Sequence, residues 1–327
     1  MVKFLIIRFS SIGDIVLTTP VIRNLKTQIE GAEIHYLTKK AFAPVLQENP
    51  YIHKIHLYDN NLKEIISDLK KVDFDFIIDL HNNLRSSRVK LSLNKVSYSF
   101  PKLNLEKWLM VNLKINKLPD VHIVERYMST LNLFNIKNDK RGLDFFISAD
   151  NEMNTRLLPE TFHRGYISVV IGAKHNTKQL PLTRLIELIR NLNFPVILLG
   201  GKDDAERGES ISNAIGETCL NFCGKLSIQQ SASYLKQSKL VITHDTGLMH
   251  IASAFGKTIL SVWGNTIPEF GMYPYLPGEN SEIFQVKNLK CRPCSKIGYE
   301  KCPLKHFNCM NQIELDALAT KAKQILN

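Results

Sequence analysis

The residues best placed for chemistry stand where short apolar runs end. In the second half, LVITHDTGLMHIASAFGKTILSVWG passes from an apolar run, Leu240 to Thr243, into His244-Asp245-Thr246-Gly247, and a helical pattern begins at about Leu248. Glycine permits close backbone approach, the free N–H groups of a helix N-terminus attract anions, and Thr246 adds a hydroxyl donor, so this junction suits a diphosphate. His250 would lie in the first helical turn. The other reading is that Asp245 and Thr246 only cap the helix.

Two neighbouring junctions point the same way. VVIGAKHNTKQLPLTRL ends a strand at Gly172 and places Thr177 and Lys178 before Pro181, a typical first-turn helix residue. Lys178 could meet phosphate as a point charge, or be a solvated loop lysine. LLGGKDDAERG sets Asp204 and Glu206 beyond Gly200 and Gly201, where a carboxylate can accept from ribose hydroxyls or Asp204 can cap a helix. The first junction of the chain differs. After Phe4 to Phe9, RFSSIGD puts Asp14 where a nucleotide binder would present glycine-rich backbone, and a carboxylate there repels a pyrophosphate.

Elements of matching type must hold these residues. Strand runs at Lys3 to Phe9, Glu33 to Thr38, Lys54 to Tyr58 and Phe74 to Leu80 alternate with helix-period stretches such as Asp14 to Gln28 and Leu62 to Lys71. Further helices are expected over Leu103 to Ile115 and Val124 to Phe134. The alternation restarts at Tyr166 to Ile171, after a polar interval. The expected fold class is α/β, with two Rossmann-like, doubly wound parallel-sheet domains. Ligands would bind at the carboxyl ends of the strands, in a cleft between the domains. The boundaries are placed at 1–155, 156–311 and a closing helix over 312–327 that could cross back to the first domain. A length of 327 residues and 44% hydrophobic content suit two cores.

Net charge is +11, which favours acidic partners. Eight of the basic residues fall between Arg85 and Lys117 against one acid, Glu106. Within that segment Trp108, Leu109, Met110 and Leu113 lie among lysines. This suggests an interfacial helix meeting an anionic membrane, or a core helix with a solvated basic edge. No apolar stretch approaches the ~20 residues needed to span a bilayer, and the opening apolar run, broken by Arg8, is expected to be a first core strand rather than a signal peptide. A cytoplasmic protein, peripheral on the inner membrane at most, is expected. Cys291, Cys294, Cys302 and Cys309 in CRPCSKIGYEKCPLKHFNCM are compatible with a structural zinc, with His306 a substitute ligand; reduced thiols packing a loop are the alternative.

The opening RFSSIGDIVLTTPVIRNLK, the loop TKQLPLTRL and the motif HDTGLMHIASAFGKTILSVWG together resemble glycosyltransferase family 9, the ADP-heptose:lipopolysaccharide heptosyltransferases. The resemblance runs over nearly the whole chain. It implies a GT-B fold, with acceptor bound by the first domain and nucleotide-sugar by the second, and an inverting transfer that requires no metal or other cofactor. Carried over, Asp14 matches the general base and Lys178 the donor-phosphate lysine. Asp245, Thr246, Gly247 and His250 match the nucleotide motif, with Thr177, Asp204 and Glu206 on the donor side. Ser10, Ser11, Gly13 and Arg85 fall on the acceptor side. Leu180 stands where the family commonly has tryptophan, and LHNNLRSS follows its acceptor segment only loosely. The implied partners are a nucleotide-sugar, ADP-heptose in the first place, and an anionic lipid-linked glycan.

Two other classes compete. A nicotinamide-dependent oxidoreductase would need G-x-G-x-x-G after a strand, and the first turn offers Gly13 alone. A basic nucleic-acid-binding protein lacks any supporting motif.

Overall fold

Continuous apolar runs set the strands, because a parallel strand is buried on both faces. In the computed structural model, which describes residues 1–326, the run VKFLII is β1 (Val2–Ile7), with Phe4 to Ile7 fully buried. It is followed by α1 (Ile12–Val16), α2 (Thr19–Gln28), β2 (Ala32–Lys39), β3 (Lys54–Tyr58), α3 (Leu62–Lys70), β4 (Phe76–Asp79), α4 (Leu84–Leu93) and β5 (Val96–Ser99). The strands pair in parallel in the order β3-β2-β1-β4-β5.

The single helix expected over Asp14 to Gln28 is two. Pro20 has no N–H to give to the carbonyl of Val16, and the Thr19 hydroxyl donates to that carbonyl instead, at 2.7 Å. α1 therefore ends early, and α2 starts with its proline in the first turn. Arg23 anchors α2 from within. Its guanidinium is 0% exposed, donates twice to Asp139 at 2.8 Å, and also bonds Asp144 and the Gly142 carbonyl.

The chain continues through α5 (Asn104–Asn112) and α6 (Ile123–Met128), then a 3-10 turn to Phe134. α5 is shorter than the expected Leu103 to Ile115. The second sheet is built from β6 (Ile167–Val170), β7 (Val196–Leu199), β8 (Cys219–Asn221), β9 (Leu240–His244), β10 (Ile259–Trp263) and β11 (Glu282–Gln285). Its helices are α7 (Leu182–Leu192), α8 (Ala205–Ile215), α9 (Ile228–Gln237), α10 (Gly247–Ala254), α11 (Asn308–Asn311) and α12 (Leu315–Leu326). Its order is β11-β10-β9-β6-β7-β8, again parallel throughout.

Two compact units result: Met1–Leu103 with Val121–Phe146, and Asn104–Asp120 with Ile147 onward. The division falls at Phe146 rather than at 155, because the stretch after it is tied to α9. Ser148 N–H donates to Gln229, Met153 N–H to Ser233, and Lys236 pairs with Glu152. α12 belongs to the second unit, where Asn191 of α7 donates to Asp316. In each sheet the strand order runs outward in both directions from one pair, β1/β4 in the first and β6/β9 in the second. Crevices at the carboxyl ends of such pairs are where open α/β sheets bind ligands.

Candidate functional site

Asp14 is the third residue of α1, just beyond the end of β1. Its Oδ2 accepts from Ser11 N–H (3.2 Å) and Ser11 Oγ (2.7 Å), and its Oδ1 lies 2.6 Å from Arg8 Nη2. Arg8 is 9% exposed; its Nε donates to the Ser10 carbonyl and its Nη1 to the Leu80 carbonyl, joining the ends of β1 and β4 at the switch point. Burial opposes the Asp14 charge, but the Arg8 guanidinium and the Ser11 donors outweigh it and hold the carboxyl below its ordinary range. The group is an anion, 19% exposed, aimed by a buried cation. It also caps α1, as the acidic half of a capping box with Ser11.

The other residues expected on the acceptor side sit around that junction. Gly13 is buried in α1, and Ser10 and Ser11 form the turn. Arg85, in the first turn of α4, lays its guanidinium over Tyr58 (5.0 Å) and Phe9 (5.3 Å). Sequence reasoning passed over Arg8 and His81. His81 follows β4, meets Phe9 edge-on at 5.3 Å, and has a buried Nδ1 with no hydrogen-bond partner among the described residues. Burial and then Arg8 lower its pKa to about 4. Its position just past a switch-point strand was the available signal.

In the second unit Lys178 lies in a 3-10 turn after β6, its Nζ 2.5 Å from Asp245 Oδ2 at the end of β9. Thr266 Oγ1 donates to the same oxygen at 2.9 Å. Leu180 N–H donates to His244 Nε2 at 3.0 Å, and His244 is buried and neutral, its pKa lowered to about 3 by burial and by Arg207. Thr246 is the N-cap of α10 and makes no side-chain capping bond. The Asp245 oxygen that is bonded goes to Lys178 and Thr266, so of the capping alternative the structure keeps the N-cap position of Thr246 and no side-chain capping bond. Met249 N–H donates to the Thr246 carbonyl at 3.2 Å, and the amides of Gly247 and Leu248 with the Thr246 hydroxyl are what this terminus offers an anion. His250 is buried on α10, 2% exposed.

Three donor-side expectations look different in detail. Thr177 is a clamp: its hydroxyl and N–H both donate to the Tyr299 carbonyl, and Tyr299 N–H donates back to Thr177 Oγ1 at 2.8 Å. Asp204 turns inward and accepts from Gly201 N–H at 2.8 Å. Its carboxylate fills the space that Gly172 and Gly200 leave, since a Cβ on Gly172 would come within 2.0 Å of it. Those glycines make room for Asp204 rather than for a ligand. Glu206 is exposed on α8.

α5 buries none of its residues. Leu105 (66%), Trp108 (53%) and Leu113 (53%) are exposed, so the core-helix alternative fails. No helix among the described residues is long and apolar enough to cross a membrane. Among the described residues, one trio of ligand-type atoms lies within 4.8 Å of one another, Glu33, His35 and His53. Hydrogen bonds already account for it: His35 Nε2 meets Glu33 at 2.7 Å and Nδ1 meets His56 at 2.9 Å.

The sequence profile of glycosyltransferase family 9 (heptosyltransferase) matches residues 63–305. The lipopolysaccharide heptosyltransferase 1 of Campylobacter coli is 25% identical over 289 residues, spanning 81% of this chain and 84% of that protein. Among solved structures, a family 9 glycosyl transferase from Veillonella parvula covers 99% of this chain at TM-score 0.77 and 20% identity, with 97% of that chain covered. The E. coli ADP-heptose lps heptosyltransferase II covers 99% at TM-score 0.75 and 19% identity, with 98% of that chain covered.

Proposed function

This chain belongs to glycosyltransferase family 9, and from that premise we propose that it transfers heptose from ADP-heptose to a lipopolysaccharide-core acceptor, with inversion. It is a glycosyltransferase of GT-B fold, and the oxidoreductase and nucleic-acid readings give way to that. In the proposed reaction the acceptor hydroxyl oxygen attacks the anomeric carbon as the bond from that carbon to the phosphate oxygen breaks. The hydroxyl proton passes to Asp14, and the electron pair leaves with ADP. Asp14 is a weak base but is in its charged form at neutral pH, because Arg8 keeps it so.

Leaving-group charge falls on Lys178, the Thr246 hydroxyl and the N-terminus of α10. The observation that carries the reading is this unspent helix terminus beside an anchored lysine, at the β6/β9 switch point. On the acceptor side, Arg85 and His81 line the other switch point. α5 presents Leu105 and Trp108, with Leu113 just past its end, within the basic stretch from Arg85 to Lys117, which suits a cytoplasmic leaflet bearing an anionic lipid-linked acceptor.

The test is incubation with ADP-heptose and a heptose-free lipopolysaccharide core, with the product's anomeric configuration read by NMR. A thermal-shift comparison of ADP, UDP, GDP and CMP accompanies it. Inverted heptosyl product and selective stabilisation by ADP are expected. Stabilisation by another nucleotide alone would overturn the donor, and retained configuration would overturn the single displacement.

A further inference from the structure

Residues 286–307 contain neither helix nor strand, yet this irregular segment holds the donor loop in place. Arg292 donates to the carbonyls of Gly264, Thr266 and Val286. Tyr299 exchanges hydrogen bonds with Thr177, one residue before Lys178. Lys114 donates to the carbonyls of Cys291 and Pro293. A long loop without regular structure inside a compact unit needs some other source of order. Three of the four cysteines lie in it, Cys291, Cys294 and Cys302, with Cys309 just beyond on α11; all four are unpaired.

We propose that Cys291, Cys294, Cys302 and Cys309 bind one zinc-like divalent ion as a tetrathiolate, and that this clip braces the wall of the nucleotide-sugar site formed by Thr177, Lys178 and Thr266. The C-x-x-C spacing of Cys291 and Cys294 is one that zinc sites use for a pair of ligands. His306 is not a fifth ligand. Its Nδ1 accepts from Asn308 N–H at 3.0 Å, so its proton sits on Nε2, which faces Cys291 Sγ at 3.9 Å. That is the geometry of a ring N–H donated to a metal-bound sulfur. Charge also fits: a tetrathiolate around a divalent ion is a dianion, and the segment from Lys290 to Lys305 carries five basic residues against Glu300.

As thiols the sulfurs stand apart, since no three of them are mutually within 4.8 Å among the described residues. Binding therefore draws the loop inward and releases the thiol protons to solvent. Cys302 also lines a cavity of about 350 Å³ with Asn176, Thr177, Lys301 and Lys305, so the clip shapes space beside the donor loop.

The bracing half of this inference rests on the donor reading; the metal half does not. The experiment purifies the whole protein with zinc in the growth medium and measures metal by mass spectrometry. It then follows tryptic cleavage at Lys296, Lys301 and Lys305, and ADP affinity, before and after chelation. About one zinc per chain is expected, with cleavage suppressed by zinc and ADP affinity falling about tenfold on its removal. Cys302→Ser should lose the metal, whereas His306→Gln should keep its stoichiometry and release it to a weaker chelator. Metal-free protein, or cleavage indifferent to zinc, overturns the site. Bound zinc whose removal leaves ADP affinity unchanged overturns the bracing. Failure of the zinc-loaded protein to bind ADP at all counts against the donor reading and the bracing, while leaving the metal site standing.

Discussion

Lys178 Nζ stands 2.5 Å from Asp245 Oδ2, although 67 residues separate them in the chain. The pair joins the loops after β6 and β9, the two strands that flank the switch point, and Thr266 fixes the same carboxylate oxygen. An ammonium held this way has lost its side-chain freedom before a ligand arrives, so less entropy is spent when phosphate binds. It retains two further N–H donors for that ligand.

Lys178→Ala should therefore weaken ADP binding by about 10- to 100-fold, the range of a charge-assisted hydrogen bond. Asp245 keeps its Thr266 donor in the variant, so folding should survive. Calorimetric titration with ADP reads the result, and unchanged affinity in a folded protein would remove Lys178 from the donor site.

Asp14→Asn should leave ADP affinity intact and lower the turnover number by about 10²- to 10⁴-fold, because it removes a proton acceptor and no donor contact. Arg8→Met tests the pairing. Turnover needs the ionised carboxylate, and Arg8 holds that carboxyl below 3.8 against burial. Without Arg8, only the Ser11 donors are left to offset burial, and the carboxyl rises. The acidic limb of the pH–turnover profile should then move upward; an unmoved limb would show that Arg8 does not govern Asp14.

Much of this was legible because apolar runs announce parallel strands and the residues just past them mark the sheet's carboxyl edge. Asp14, Lys178 and Asp245 were singled out as candidates that way, and they do stand just past β1, β6 and β9. Short edge strands were not: β5, β8 and β11 have three or four residues, too few for a period, and polar ones such as VSYS resemble loop. Long-range pairing was equally invisible. Arg8 read only as a break in an apolar run, and Asp204 as a ribose acceptor or a helix cap, whereas its carboxylate fills the space left by Gly172 and Gly200. Thr177 could not be told from a ligand contact without Tyr299.

The exposed face of α5 predicts membrane binding. Trp108→Ser with Leu105→Ser removes two exposed apolar groups while burying nothing new, so stability should change by less than about 0.5 kcal/mol. Sedimentation with vesicles containing anionic lipid should show binding by the wild type at low salt, reduced severalfold in the double variant and weakened by salt in both. Wild-type protein that stays in the supernatant at low salt would dismiss the membrane role of α5.

Buried neutral histidines make stability depend on pH. His244 lies between Leu180 N–H and the interior of the second sheet; burial and Arg207 lower its pKa from 6.5 to about 3. His56 and His81 in the first unit are lowered to about 4, chiefly by burial. Below pH 6.5 the unfolded chain takes up a proton at each site while the folded chain does not. The unfolded state then binds more protons, and stability rises with pH across that interval. Each such site contributes up to about 1.4 kcal/mol per pH unit, fully present above 6.5 and lost progressively as the pH falls toward the folded value. The melting temperature should therefore drop steadily between pH 6.5 and 4.5. His244→Asn should flatten the slope of the second unit's transition, at the cost of a lower melting temperature at neutral pH. A wild-type melting temperature that is flat over that interval would mean that these rings are protonated in the folded protein, contrary to their burial.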